Sequence, residues 1–243
     1  MNPEIYSILQ ALQAENEPVS LINSYYGLPV TNEALIMVLG EDSLRLSVHP
    51  YQAVTMAIEN ITFITHARFP SVLRAVVSQV NFSGPEAVVT DLLYAADSIG
   101  SRANLRVQPP SRVQVVVYSQ KSSSRGELLD ISELGAGICT FSTLIYNPIS
   151  LKRGATVRMT IDLDEFTPTL DVQGQILYTV SDGDNHRLGM KIEPDEPTRQ
   201  VITQFVGQRK VVLLNELQAL AEAKIIPHPA PPTAPSPRVK RPD

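Results

Sequence analysis

The sequence predicts a mainly β protein of two β-rich domains, the second a six-stranded antiparallel barrel followed by a C-terminal helix. Three observations predict it. Apolar and polar residues alternate through much of the chain, as in Ser43-Leu-Arg-Leu-Ser-Val48, the pattern of strands with one buried face. The alternating runs are short and punctuated by turn residues, and six of them follow residue 110, which favours a closed barrel because closure removes unpaired edges. Helical spacing appears near the two ends.

The first element is a helix. Asn2-Pro3-Glu4 supplies a cap and first turn, and Ile5, Ile8, Leu9 and Leu12 then recur at helical spacing. From about Val19 to Ala95 alternation takes over in Ala34-Leu-Ile-Met-Val-Leu39, Ser43 to Val48, Ile61-Thr-Phe-Ile-Thr65 and Val72 to Val80. Tyr26-Gly-Leu-Pro29 and Asn81-Phe-Ser-Gly-Pro85 supply turns. These runs make a first β-rich domain over residues 1–97. Residues 98–110 contain Ser, Gly, two Arg and a Pro-Pro pair and read as an exposed linker between domains.

The second domain, residues 111–224, carries strands at Val113 to Tyr118, Gly126 to Ile131, Gly137 to Phe141, Thr156 to Leu163, Leu170 to Val180 and Arg187 to Ile192. Pro194-Asp-Glu-Pro197-Thr then starts a helix with Val201, Ile202, Phe205 and Val206 on its apolar side, continued by Val212, Leu213, Leu217 and Leu220. Gly207 is the expected point of a break. Residues 225–243 are too rich in proline to pack as helix or strand and read as a disordered tail.

A chain of 243 residues is long enough for two modest domains, each with a core. With 43% hydrophobic and 19% charged residues it reads as globular, and a formal charge of -5 argues against a broad nucleic-acid surface. Cys139 is the only cysteine, so no intrachain disulfide can form, and it reads as a small core residue. No apolar run approaches a membrane span, and the amino terminus lacks a secretory pattern. A cytoplasmic protein is the expectation.

Arg102-Ala-Asn-Leu-Arg106 and Asp130-Ile-Ser132-Glu-Leu-Gly135 carry the chemistry. Arginine suits phosphate because its planar, permanent charge donates two parallel hydrogen bonds, and the same fork can address guanine O6 and N7. Asp130 could accept from guanine N1 and N2, Ser132 could serve a phosphate or base edge, and Gly135 turns the chain without blocking a ligand. Neither motif is decisive alone. With 14 arginines in 243 residues, an i, i+4 pair arises by chance about 0.8 times, and Asp and Ser commonly cap turns between strands.

In this order, followed by this strand pattern, the two motifs resemble the PilZ domain, the bacterial receptor module for cyclic di-GMP. Gly154 to Leu163 is similar to the family's middle strand, Val172 to Tyr178 to the next, and Arg187 to Ile192 to the strand before the helix. The resemblance covers about residues 102–210. With a β-rich domain in front, the whole resembles the two-domain YcgR-like, flagellar-brake type, which makes the first domain split-barrel-like. The resemblance implies a ligand, cyclic di-GMP, held by Arg102, Arg106, Asp130, Ser132 and Gly135, with no cofactor. It also implies that ordering the arginine-bearing arm changes domain orientation or partner contacts. Ser101 departs from the many relatives that carry a further basic or bulky residue there.

Other chemistry is poorly supported. His49, His66, His186 and His228 have no metal-ligand spacing. Asp162, Asp164 and Glu165, like Asp182 and Asp184, read as solvated turns, and no nucleophile, acid/base pair or phosphate loop is present, so no enzyme is expected. The expectation is a receptor acting on a protein target, by analogy the flagellar motor, with polysaccharide or secretion machinery fitting equally well. The alternatives are a nucleotide-independent scaffold, or a cyclic di-GMP-responsive DNA-binding regulator, which the acidic balance disfavours.

Overall fold

The computed structural model describes residues 1–95, 105–119, 122–141, 152–163, 168–182 and 185–223. Arg102, His228, Asp164, Glu165, Asp184 and the proline-rich tail lie outside the described residues. The protein is mainly β, with two closed six-stranded antiparallel barrels and a C-terminal helix, as the alternation predicted.

The first barrel follows helix α1 (Pro3–Glu15), whose N-cap Asn2 accepts from the Glu4 N–H and whose buried Ile5, Leu9 and Leu12 face the core. Its strands are β1 (Val19–Tyr25), β2 (Leu28–Leu39), β3 (Ser43–Ser47), β4 (Ile61–Thr65), β5 (Leu73–Asn81) and β6 (Glu86–Tyr94), in spatial order β1-β2-β3-β6-β5-β4. The β1–β4 pairing closes the barrel. Strict alternation in β1 buries Val19, Leu21, Asn23 and Tyr25; Val19 and Leu21 join the first core, and Asn23 bonds to Gln52 and Thr62.

A helix not expected from the sequence, α2 (Pro50–Glu59), joins β3 to β4. Its periodicity is hidden because Gln52 to Met56 are all buried, so no polar stripe marks a solvent face. The starting signal is His49, which accepts from the Tyr51 N–H through its ring, with Pro50 at the first helical position. Strands β1 and β6 lie within the alternating region but had not been singled out. The turn at Tyr26 is shorter than expected, since β2 already begins at Leu28.

The second barrel contains β7 (Gln114–Tyr118), β8 (Ser123–Ser132), β9 (Gly135–Phe141), β10 (Thr156–Ile161), β11 (Leu170–Asp182) and β12 (Asn185–Glu193), ordered β10-β11-β12-β9-β8-β7 and closed by the β10–β7 pairing. Ile131, Ile138, Met159, Ile176, Leu188 and Met190 are among its fully buried residues. Cys139 is only partly buried, because it lies between inward-facing Ile138 and Thr140 on the other side of β9; the core reading is corrected.

Helix α3 (Glu196–Ala223) runs unbroken through Gly207. A mid-helix glycine costs about 1 kcal/mol relative to alanine, which a long helix anchored by buried Ile202, Leu213 and Leu217 absorbs. Its start is capped by Asp195, whose carboxylate accepts from the Thr198 N–H at 3.0 Å; bonding to Thr198 holds that carboxyl below its ordinary range.

The described chain packs as two compact units. One comprises Met1–Asn23, Thr31–Ala95 and α3 from Gln218. The other comprises Ser24–Val30 and the described residues from 105 to Leu217.

Candidate ligand-binding site

The site is built on a tight hairpin. Ser132 at the end of β8 pairs directly with Gly135 at the start of β9, leaving Glu133 and Leu134 as the turn. One irregularity decides what this hairpin displays. Along β8, Ser124, Gly126 and Leu128 are buried at every second position, whereas the next fully buried residue is Ile131. The register shifts between Leu128 and Asp130, so Leu129 is an extra residue that inverts the alternation. Were Leu129 paired regularly, without a bulge, Asp130 would continue the inward series. With it, the carboxylate turns away from the barrel interior and Ile131 takes the core position.

The chain before β7 lies along the same strand. Val107, fully buried, donates its N–H to the Ile131 carbonyl at 2.9 Å and accepts from the Ile131 N–H at 3.0 Å. That bridge brings Arg106 beside Asp130. Arg106 Nη1 donates to Asp130 Oδ1 at 2.9 Å, with the side chains 19% and 16% exposed. The pair is thus largely withdrawn from water but still reachable, a setting in which a charge-assisted bond is stronger than at an open surface.

Two glycines of β9 make room for it. A Cβ at Gly135 would lie 2.7 Å from Arg106 Nη2, and one at Gly137 would lie 2.8 Å from Asp130 Oδ2. Gly137, directly opposite Asp130 in the ladder, was not foreseen as part of the site. The signal was available in Gly135-Ala-Gly137, two glycines two residues apart on one side of a strand.

The structure therefore brings Arg106, Asp130, Ser132 and Gly135 together. Ser132 is 2% exposed, and its hydroxyl donates to the Gly135 carbonyl at 3.2 Å, so in this arrangement it closes the turn. Of the other residues considered, His66 is 3.2 Å from Glu17, His186 Nδ1 is 3.0 Å from Ser181 Oγ, and Asp162 accepts from Thr169 at 2.6 Å. Among the described residues no group of three or more His, Cys, Asp or Glu is placed to hold a metal ion, and no helix is long and apolar enough to cross a membrane.

Residues 101–208 match the model of the PilZ domain. No curated protein matches the chain significantly. Among solved structures, YcgR from Escherichia coli in complex with c-di-GMP is 14% identical, with 91% of this chain and 94% of that chain covered and a TM-score of 0.42. The inhibitor of motility MotI/DgrA of Bacillus subtilis is 13% identical, with 80% and 95% covered and a TM-score of 0.42. The MrkH–c-di-GMP complex of K. pneumonia is 10% identical, with 93% and 97% covered and a TM-score of 0.40.

Proposed function

Starting from a chain that carries a PilZ domain over residues 101–208, we propose that it is a cytoplasmic cyclic di-GMP receptor without catalytic activity. The dinucleotide is held by Arg102 and Arg106 of a linker at residues 98–110, against Asp130, Ser132 and Gly135 of a barrel spanning 111–224. The first domain, residues 1–97, and the barrel carry the response to a protein partner, in motility control or another surface process. The observation that supports this best is the Arg106–Asp130 pair at 2.9 Å over two glycines. It offers a guanidinium fork and a carboxylate, the donor and acceptor sets that a guanine edge complements, on a surface where two missing side chains leave room for the pair itself.

Isothermal titration of the full chain with cyclic di-GMP, with GTP as control ligand and Arg106→Ala and Arg102→Ala as variants, tests the proposal. Saturable binding by the parent, absent with GTP and lost in both variants, is the expected result. Absence of binding by the folded parent overturns it.

A second reading is a nucleotide-independent scaffold. It is favoured by one observation: Arg106 and Asp130 already satisfy each other and the Ser132 hydroxyl is engaged within the turn, an arrangement that also serves to hold the hairpin. On that reading Arg106→Ala lowers stability while the contact with a partner is retained.

A further inference from the structure

Resting on the receptor reading, we infer that Arg209 of α3 is a positioning residue that fixes the arginine-bearing linker for ligand binding without touching the ligand. Four backbone polar groups of two successive linker residues are paired. Val107 exchanges both of its bonds with Ile131, at 2.9 and 3.0 Å, and the Gln108 N–H donates to the Tyr26 carbonyl at 2.9 Å. The Gln108 carbonyl accepts from Arg209 Nε at 3.1 Å. All of these residues belong to the unit formed by Ser24–Val30 and the chain up to Leu217.

Three of those four bonds run from main chain to main chain, so Arg209 supplies the one anchor that comes from a side chain. It is 101 residues distant in sequence from the group it holds. The guanidinium is itself oriented. Its Nη1 pairs with Glu216 Oε1 at 3.2 Å, two turns further along α3, and its side chain is only 10% exposed. A planar fork fixed by a carboxylate on one side presents its Nε to a carbonyl on the other, which a lysine ammonium cannot do with the same rigidity. Gln108 follows Arg106 by two residues, so the direction in which Arg106 leaves the backbone depends on this anchor.

The test uses the full chain with two variants, Arg209→Met, which removes both bonds, and Arg209→Lys, which keeps the charge but not the fork. Amide hydrogen exchange is followed at Val107 and Gln108 against internal reference amides in β10 to β12, and cyclic di-GMP is titrated in parallel. The expected result is exchange at Val107 and Gln108 faster by about tenfold in Arg209→Met, the scale of one hydrogen bond to a charged group, with the reference amides unchanged. Affinity falls by a similar factor, and Arg209→Lys is intermediate in both readouts. Unchanged exchange at Val107 and Gln108, or faster exchange throughout the barrel, overturns the inference. So does parent affinity in Arg209→Met. If the parent does not bind cyclic di-GMP, the receptor reading fails while the exchange arm still decides whether Arg209 anchors the linker.

Discussion

At Gly135 a single added methyl would come within 2.7 Å of Arg106 Nη2, closer than side-chain carbons approach any neighbour, so the guanidinium must leave its place. The atom it meets most closely is the tip of a flexible side chain, and the Met190 carbonyl of the barrel, at 3.3 Å, need give only slightly. Gly135→Ala is therefore expected to weaken cyclic di-GMP binding by about tenfold or more while changing unfolding free energy by less than about 1 kcal/mol. Titration calorimetry with a denaturant melt separates the two effects, and parent affinity in the variant would show that the glycine is a turn residue only. Four of the five residues singled out from the sequence fall together in space, because the two motifs are short and the strand hairpin between Ser132 and Gly135 is local. Gly135-Ala-Gly137 marks two missing side chains on one side of a strand, but the partner that Gly137 makes room for depends on which residue faces it across the ladder, and that register is set by a bulge no local pattern announced.

The bulge at Leu129 makes a sharper prediction for its strand. Deleting Leu129 removes the extra residue, so alternation runs unbroken through Leu128, Asp130 and Ile131, with Asp130 still turned outward and Ile131 still in the core. The deletion variant is expected to keep a denaturant midpoint close to the parent's, and a markedly lower midpoint would mean that the bulge itself supports the barrel. Elements were read from sequence where periodicity was clean: α1 from its capped start and the repeated Ile and Leu, β3 and β4 to within a residue. The reading failed where burial hides periodicity, as in α2, whose middle is buried on all sides. It failed in the other direction at Gly207, where an expected break was outweighed by tertiary anchoring of α3.

Across the whole chain, each barrel has its own interior. The first core gathers Leu21, Leu44, Leu46, Ile64 and Leu73 with α1 residues Ile5, Leu9 and Leu12, all from the unit that excludes residues 105 to 217. Leu46→Ala, which empties part of that core at a cost of roughly 2–5 kcal/mol, is expected to speed amide exchange throughout β1 to β6 and leave β10 to β12 at parent rates. Equal acceleration in both barrels would show that the chain unfolds as one cooperative body. The presence of two β-rich halves was legible because turn residues and alternating runs recur at short intervals, and the Pro-Pro pair divides them. Closure was inferred only from the number of strands, because the pairs that seal each barrel, β1 with β4 and β10 with β7, join segments far apart in sequence. That sealing has a bearing on recognition. Among the described residues each barrel strand has a neighbour on both sides, so these two barrels offer no open ladder for a partner's strand to extend. A partner of the proposed receptor would then read side chains on outer barrel faces or α3, whose chemistry can be changed one residue at a time without unzipping the sheet.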